Sequence, residues 1–465
     1  MKHNSLSKQI KYINSYNDFI EKIFSSIKNC DVEVYYFRGI CNIDFFNEHY
    51  FTKIDYTNYT DLPEKFPGIF KKLEDISIDN INYQLTKGNI LIGINDSYFY
   101  FVELSKLSDI KQQPSHIDPI NMFESKADFT ELAIDNIALI TKRLKNEELI
   151  VKHVVIGKKS KTDCYVLCLK KYVYEDYAKD IMNKLINSTG DYYLGVNDLN
   201  TIFNEESLVP LTFLTSSPST TCSNLINGKV AIILDNTPIV TIAPTTLSNF
   251  TSVKNEINTP KYYSFFNKSF IVIFLILSVF SLGFFVSIIN FHSSFFSPIF
   301  IANIQLTERG TSFPIIVEIL IILFLYDFYR FTTSRSPQSY IQNIVIFFGS
   351  LVIGQNAIQS GTVGSLVMMV TSISYLSSFA VTTNPYLISS MNIARIFILI
   401  FSYLLGLFGF IFASILIVLY LRSQKSFGKN FLEPFSPINF NNIFNFFFPS
   451  RNKRKEAVWK KFYYY

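Results

Sequence analysis

The sequence predicts an α/β cytosolic N-terminal region of two subdomains, followed by an α-helical multi-pass membrane domain. The 465-residue chain has a mean hydropathy of +0.22 and is 49% hydrophobic, while charged residues make up 17%, below the roughly 25% of soluble domains. Most Lys, Asp and Glu residues lie before Phe270 or after Leu421. This distribution of charge, together with a polar linker near residue 112, places subdomain 1 at residues 1–112, subdomain 2 at 113–262, the transmembrane domain at 263–425 and a basic cytosolic tail at 426–465.

Subdomain 1 is expected to mix helices and strands. Apolar residues at helical spacing predict helices over 15–29 and 63–75. The β-branched and aromatic run 32–37 predicts a strand, and strands 90–93 and 98–104 form a hairpin across Asn95-Asp96-Ser97. A polar, proline-containing linker over 111–119 marks the boundary with subdomain 2.

Subdomain 2 opens with a predicted helix over 128–146. Its apolar stripe is interrupted by Asn136, so this side chain is expected to hydrogen-bond a buried group. Further helices are predicted over 175–187, near Asp198 and over 219–225, and strands over 150–156, 164–169, 230–234 and 239–243. Helices and strands alternate, which favours an α/β fold in both subdomains.

The predicted soluble half, which consists of subdomains 1 and 2 (residues 1–262), carries no recognisable catalytic or metal-binding signature. P-loop, HExxH and GxSxG motifs are absent from the sequence, so we predict no enzyme activity, no metal and no cofactor. A net charge of +5 without a basic stripe argues against nucleic-acid binding. The odd cysteine count predicts reduced thiols in the cytosol, with Cys164 and Cys168 as apolar fillers on one face of a strand. Residues 1–16 lack an apolar stretch, so no cleavable signal peptide is expected.

Five apolar segments are candidate spans, namely 270–289, 313–328, 341–358, 363–380 and 396–421. About 20 apolar residues cross a hydrocarbon core of roughly 30 Å. Basic residues flank the block on both sides, which places both ends in the cytoplasm and requires an even number of crossings. We therefore predict four full spans and one re-entrant segment, 341–358, which is interrupted by Gly349 and Gly354 and ends in Gln355 and Asn356.

Polar residues within the apolar block are the candidate functional residues. Glu318 is an intramembrane carboxylate, and three roles are open: an ion pair with Arg309, Arg330 or Arg395, a place in an ion or proton pathway, or a position near the interface. The Ser and Thr residues of segment 363–380 either pack helices together or line a pore in an oligomer. The candidate pore or gating residues are Glu318, Gln355, Asn356, Ser365, Thr371, Ser374 and Ser378. The candidate structural or coupling residues are Asn136, Arg309, Arg330, Arg335 and Arg395.

Several motifs, in order along the chain, resemble the GerA spore germination family of A-subunit type. In the soluble half they are residues 129–131, 136–140 with Arg143, and 157–162. Around and within the apolar block they are residues 227–246, 308–314 with Glu318, 349–355, 406–409, and 426–428 followed by Pro434. The resemblance covers most of the chain and is weaker over 32–104.

The resemblance implies a protein of the spore inner membrane that works with a transporter-like B subunit and a lipoprotein C subunit. It implies that A subunits oligomerise into a ring that conducts monovalent cations when the B subunit senses a nutrient. We therefore expect a germinant-receptor A subunit, a homo-oligomer embedded in membrane lipid with both termini cytoplasmic. The alternatives are a non-conducting scaffold or sporulation-stage accessory paralogue that clusters receptors, and a secondary transporter, which would need internal repeats that these unequal segments lack.

Overall fold

The computed structural model contains two antiparallel sheets followed by a bundle of apolar helices. It describes residues 17–27, 30–51, 69–73, 77–95, 98–103, 128–144, 149–170, 175–204, 207–251, 261–291, 313–335, 354–355, 357–382, 384–436 and 440–448, with the single residues 10, 13, 63, 66, 297 and 299. The boundary predicted at 111–119 lies outside these residues.

The first sheet has five strands in the order β1-β2-β4-β5-β3, and every neighbouring pair is antiparallel. Its strands are β1 Ile20–Ile27, β2 Cys30–Phe37, β3 Phe70–Lys72, β4 Asn89–Ile94 and β5 Tyr98–Glu103. The accompanying helices are α1 Ile43–Phe46, which continues into a π-helical turn over Asn47–Phe51, and α2 Ile78–Lys87. The predicted strand 32–37 and the predicted hairpin are confirmed, with Asn95 at a positive φ of 49° in the turn.

Two predicted helices in this region are wrong. Ile20–Ile27 forms β1, and all eight of its residues pair with β2. Phe70–Lys72, inside the helix predicted over 63–75, pairs with β5 as an edge strand. A short apolar run fits both helical and strand spacing, so the available pairing partner decides between them.

The second sheet has the order β6-β7-β9-β10-β8, again antiparallel throughout. Its strands are β6 Leu149–Ile156, β7 Thr162–Leu169, β8 Phe213–Thr215, β9 Val230–Leu234 and β10 Val240–Ala243. Its helices are α3 Ala133–Leu144, α4 Glu175–Ile186, α5 Val196–Asn204, α6 Pro218–Ile226 and α7 Leu247–Thr251. The predicted alternation of helices and strands is confirmed, and β8 is an additional edge strand.

The two sheets repeat one arrangement. In each, the fourth and fifth strands follow a helix whose first turn is capped by a serine hydroxyl, Ser77 in α2 and Ser217 in α6. A glycine with positive φ, Gly88 (94°) or Gly228 (80°), then leads into the next strand. The shared strand order and these matching caps show the same strand plan in both sheets. Between the second and third strands, the described residues contain α1 in the first sheet and both α4 and α5 in the second.

The two sheets are joined at their first strands. Asn17 forms a parallel bridge with Val151, and the Asp18 carboxylate accepts hydrogen bonds from the Lys152 ammonium and the His153 backbone N–H, both 3.0 Å long. A single hydrophobic core cluster contains buried residues from both sheets and from α2, α3 and α6. The two sheets therefore share a core rather than merely a linker.

The cysteines behave as predicted for small apolar side chains. Cys164 and Cys168 belong to β7 and are buried in one core cluster, and burial raises the pKa of each thiol to about 12. Among the cysteines whose side chains the structure describes, Cys41 and Cys222 are also buried and free.

The C-terminal part is helical. Its helices are α8 Lys261–Phe291, α9 Ile315–Arg335, α10 Ser365–Val381, α11 Pro385–Ser423 and α12 Phe440–Phe447, and a two-strand hairpin, β11 Lys425–Ser426 and β12 Lys429–Asn430, lies between the last two. Among the described residues, Tyr262–Phe291 and Pro385–Ser423 are long and apolar enough to cross a membrane, and α10 is a shorter apolar helix.

The predicted segment 396–421 is a helical hairpin rather than one straight helix. Gly406 has φ 58° and ψ −137°, a backbone conformation that only glycine adopts readily. The arms 385–405 and 407–423 therefore lie side by side. Ser390 on one arm and Tyr420 on the other both hydrogen-bond the backbone of Leu208 in the soluble half, and the chain reverses at the opposite end, beside Phe291.

Helices α9 and α10 run in the same direction. Glu318 at the start of α9 meets Gly364 at the start of α10, and Tyr326 further along α9 meets Ser372. At the other end, Arg330 lies beside Ser389, close to the soluble half. Of the predicted re-entrant segment, residues 341–353 and Asn356 lie outside the described part of the chain.

Candidate functional site

A buried polar network crosses the helical bundle near the middle of its helices. Its centre is Arg395, whose side chain is 0% exposed although it carries a charge. An acidic residue, Asp327 on α9, is linked to it through Asn392, because the Asn392 amide donates to Asp327 (2.9 Å) and accepts from Arg395 Nη1 (2.8 Å). A buried charge is tolerated only when it is paired and hydrogen-bonded, so this network is a strong constraint on the packing.

The remaining donors of Arg395 tie together two further helices. Its Nε donates to the Ser278 carbonyl of α8 (2.7 Å), and its Nη2 donates to the carbonyl of Ser374 (3.1 Å) and the hydroxyl of Ser378 (2.5 Å) on α10. Its guanidinium also lies 5.6 Å from the centre of the Tyr375 ring. One side chain thus joins α8, α10 and its own helix α11, and through Asn392 it reaches α9.

Asp327 is a functional candidate that the sequence analysis missed. Its Oδ1 accepts from the Tyr375 hydroxyl (3.1 Å) and lies 3.5 Å from Arg330. Arg330 also donates to the Ser389 hydroxyl (3.4 Å). The signal that could have found Asp327 was present, because it is a second carboxylate inside the apolar segment 313–328, with Arg330 three residues later.

Glu318 is 1% exposed and lies in the first turn of α9. Its Oε2 accepts a 2.9 Å hydrogen bond from the N–H of Gly364, the N-cap residue of α10, which has no side chain to cap the helix itself. Within the described part of the chain, Oε1 has no hydrogen-bond partner. The carboxylate therefore caps the start of a neighbouring helix, and one of its buried oxygens has no hydrogen-bond partner among the described residues.

The structure places the predicted pore residues in different surroundings. The hydroxyls of Thr371 and Ser374 donate to helix carbonyls, and Ser378 accepts from Arg395, so all three are used in contacts inside the bundle. Ser365 and Gln355 are exposed. Asn356, Arg309 and the side chain of Arg335 lie outside what the structure describes.

Asn136 is buried as predicted and holds the chain that leads into α3. Its Oδ1 accepts from the Thr130 backbone N–H (2.8 Å), and its amide donates to the Thr130 carbonyl (2.6 Å). The Asp235 carboxylate, from the turn between β9 and β10, accepts from the Ala133 N–H (3.0 Å). Asn136 therefore orders the start of α3 within subdomain 2, far along the chain from the polar network of the bundle.

The soluble half and the helical bundle meet through two sequence motifs that are distant along the chain. The Ser426 hydroxyl accepts from the Thr245 N–H (3.0 Å) and donates to the Leu211 carbonyl (2.7 Å), and the Leu247 N–H donates to the Phe431 carbonyl (2.7 Å). Motif residues 227–246 and 426–428 thus form one junction.

Two further features mark this junction. Lys229 is buried there, and its ammonium has no hydrogen-bond partner among the described residues. Burial, with a smaller contribution from Lys429, holds its pKa well below the usual value. At the same junction, an apolar cavity of about 400 Å³ lies between the two arms of α11, α8 and the soluble half. The junction therefore combines an apolar cavity with a buried lysine.

The sequence profile of the Bacillus/Clostridium GerA spore germination protein family matches residues 6–457 of the chain. Spore germination protein XA of Bacillus anthracis is 27% identical over 370 residues, which cover 79% of this chain and 75% of that protein. Stage V sporulation protein AF of Bacillus subtilis (strain 168) is 23% identical over 453 residues, 91% of this chain and 87% of that protein. Among solved structures, the N-terminal domain of the A subunit of the Bacillus megaterium spore germinant receptor GerK3 aligns with a TM-score of 0.39 and 20% identity, covering 52% of this chain and 95% of that domain.

Proposed function

The chain belongs to the Bacillus/Clostridium GerA spore germination protein family, and from this premise we propose that it is the A subunit of a nutrient germinant receptor in the spore inner membrane. The observation that carries the proposal is the family match over residues 6–457. Further relatives that cover most of the chain are also described as spore germination proteins. Its proposed partners are a transporter-like B subunit, a lipoprotein C subunit and further copies of itself.

The outward faces of the helices support a membrane location. A helix on the surface of a soluble protein shows a polar outer face, whereas here large apolar side chains point outward on every long helix. Examples are Phe270, Ile276, Phe324, Leu376, Leu404 and Phe408, each more than half exposed. Lipid is the solvent that suits such faces.

We propose six crossings in place of four spans and a re-entrant segment. Helix α8 leads away from the soluble half, α9 and α10 both lead back toward it, and the arms of α11 lead out and return. Because α9 ends near the soluble half and α10 begins at the far end, the proposed count includes one crossing between them, in residues outside the described part of the chain. The count remains even, and both ends remain on one side, as the basic flanks require.

We propose that the assembled subunits conduct monovalent cations and that the polar network sets the closed arrangement. A bundle whose helices are tied through Arg395 has a discrete packing that a partner can shift only by binding one state more tightly than the other. The Oε1 of Glu318, which has no hydrogen-bond partner in the part of the chain that the structure describes, offers a site for a proton or cation on such a pathway. Ser365 and Gln355 are exposed, and under this proposal they supply further polar groups to the pathway.

The second candidate is a non-conducting scaffold or accessory paralogue. Two observations favour it: one relative is a stage V sporulation protein, and the hydroxyls of Thr371, Ser374 and Ser378 are satisfied inside a single chain. A scaffold would need the same buried network for packing but no charge on Glu318.

The deciding experiment compares the wild type with Glu318→Gln in two assays. Potassium flux is measured from vesicles that contain the receptor subunits, and nutrient-triggered ion release is measured in spores. A channel subunit predicts wild-type flux in vesicles and its loss in the variant at equal protein levels. Vesicles that are tight to potassium with the wild type and with the variant, combined with normal germination of both, would support the scaffold.

A further inference from the structure

A cluster of aromatic rings surrounds the start of α8 and is completed by α12. Phe265 stacks on Phe448 with ring centres 5.1 Å apart and lies 5.8 Å from Phe447. Lys268 is buried, donates to the Phe446 carbonyl and lies 4.8 Å from the centre of the Phe446 ring. These contacts fix α12 against the end of α8 that is nearest the soluble half.

One face of α12 remains uncovered. Phe440 is 82% exposed and Phe444 is 63% exposed, and residues four apart lie on the same face of a helix. Phe444 packs on Phe448 with ring centres 5.0 Å apart, and Phe448 stacks on Phe265 of α8. Tyr262 and Phe266 of α8 are also exposed. Exposed aromatic rings therefore lie both on α12 and on the first turns of α8, and Phe448 connects the two helices.

The sequence that follows α12 is strongly basic. Residues 449–465 contain six Lys or Arg residues, at 451, 453, 454, 455, 460 and 461, and a single acidic residue, Glu456. They also contain the only tryptophan of the chain, Trp459, and end in four aromatic residues. Basic clusters next to membrane helices are attracted to anionic lipid, and aromatic side chains favour the boundary between headgroups and acyl chains.

We propose that α12 lies flat in the membrane interface, with Phe440 and Phe444 toward the acyl chains, and that the basic sequence after it favours a surface of anionic phospholipid. This inference rests on the membrane location proposed above. The lipid surface is favoured over a protein partner because exposed aromatic rings lie both on α12 and on the first turns of α8, a helix proposed to face lipid, and because the charge of the sequence after α12 is complementary to anionic lipid. An interfacial helix buries its apolar face about 5–10 Å into the headgroup region.

The full-length protein can be tested with single-tryptophan variants in vesicles. The native probe is Trp459. In a Trp459→Phe background, Phe444→Trp reports on the exposed face of α12, and Tyr192→Trp, at an exposed position of the soluble half, is the matched control. Each protein is placed in vesicles of phosphatidylcholine alone or mixed with phosphatidylglycerol, with acyl chains brominated close to the headgroup, and resistance to alkaline carbonate extraction confirms insertion.

The proposal expects about twofold or greater quenching of the Phe444→Trp probe by brominated lipid in both compositions, and none for the Tyr192→Trp control. Trp459 is expected to be quenched only with phosphatidylglycerol, and to recover at about 1 M salt, where the screening length falls to about 3 Å.

Four results would overturn parts of this picture, and they are distinguishable. If the inserted protein shows no quenching of the Phe444→Trp probe, the interfacial placement is wrong while the membrane location stands. If that probe is shielded from both brominated lipid and aqueous iodide, another protein chain covers the face instead. Equal quenching of Trp459 in both lipid compositions rejects the role of charge, and extraction of the protein by carbonate rejects the membrane location itself.

Discussion

The carboxylate of Glu318 accepts a 2.9 Å hydrogen bond from the backbone N–H of Gly364, so the first turn of α9 caps the first turn of α10. Glycine brings no capping side chain, and the first N–H groups of a helix carry partial positive charge. A negative side chain from a neighbouring helix satisfies both needs. The contact also fixes the relative height of two helices that run in the same direction.

Substitutions at Glu318 should separate capping from charge. Glu318→Ala is expected to lower the free energy of unfolding by about 1 kcal/mol, since it removes the capping acceptor. Glu318→Gln keeps an acceptor oxygen and should unfold in detergent at nearly the wild-type temperature. Germination assays on the Gln variant then report the charge alone, and normal germination would remove Glu318 from the proposed ion pathway.

Loss of Arg395 should be among the most damaging changes in the bundle. Arg395→Met leaves Ser278, Ser374 and Asn392 without their buried donor, and breaking such a network costs about 3–5 kcal/mol. Arg395→Lys should also lower the stability of the bundle, because one ammonium cannot reach acceptors on both α8 and α10 as the planar guanidinium does. Thermal unfolding in detergent measures this, with the exposed Arg422→Met as control. Equal stability of both Met variants would contradict the role of Arg395.

Gly406→Ala should disrupt the helical hairpin. The backbone there has φ 58°, and a new Cβ would lie 2.8 Å from the ring of Phe291, so strain of about 1–3 kcal/mol is expected. Gly195→Ala is the matched control, because its Cβ would meet nothing within 4 Å. A spin-label distance between positions 386 and 420 measures the hairpin directly, and an unchanged short distance in Gly406→Ala would contradict the predicted strain.

The junction between the soluble half and the bundle should loosen in Ser426→Ala. This change removes an acceptor from Thr245 and a donor to Leu211, and a buried group left unsatisfied costs about 1–3 kcal/mol. Hydrogen exchange at residues 245–251 is expected to rise. Ser423→Ala, an exposed serine of the same region, should leave it unchanged. Equal exchange in both variants would mean that other contacts hold the junction.

The buried Lys229 should make stability depend on pH. Its folded-state pKa is depressed by burial, so the unfolded chain binds more protons and stability rises with pH between the folded pKa and the unfolded value near 10.4. Lys229→Met should therefore raise the unfolding temperature at pH 7, and the gain should shrink toward pH 10. The exposed Lys158→Met should show no such trend, and a gain that is constant with pH would contradict the depressed pKa.

Local signals predicted most of the soluble fold. The hairpin at Asn95 forms as expected. The predicted strands 230–234 and 239–243 also form, and they pair with each other across a turn that contains Asn236 at positive φ. β1 and β3 were assigned as helices because their identity depends on β2 and β5, which pair with them across the sheet. Sequence spacing carries no information on that partner.

The site was less predictable for physical reasons. The partner of Glu318 is a backbone N–H, which has no side-chain signature. Gly406 lies in an apolar helix, where a glycine is as compatible with close helix packing as with a reversal of the chain. Asp327 could have been found as a carboxylate in an apolar run, but its link to Arg395 passes through the neutral Asn392, which no charge pattern reveals.

The two hydrogen bonds of Leu208 determine how force passes between the soluble half and the helical hairpin. Its N–H donates to Tyr420 and its carbonyl accepts from Ser390, so a single peptide segment staples the open ends of the hairpin together. A pull on that segment acts on both arms at once, and the arms can hinge only at their far end, at Gly406. A movement of the soluble half at Leu208 is therefore transmitted to both arms of the hairpin together.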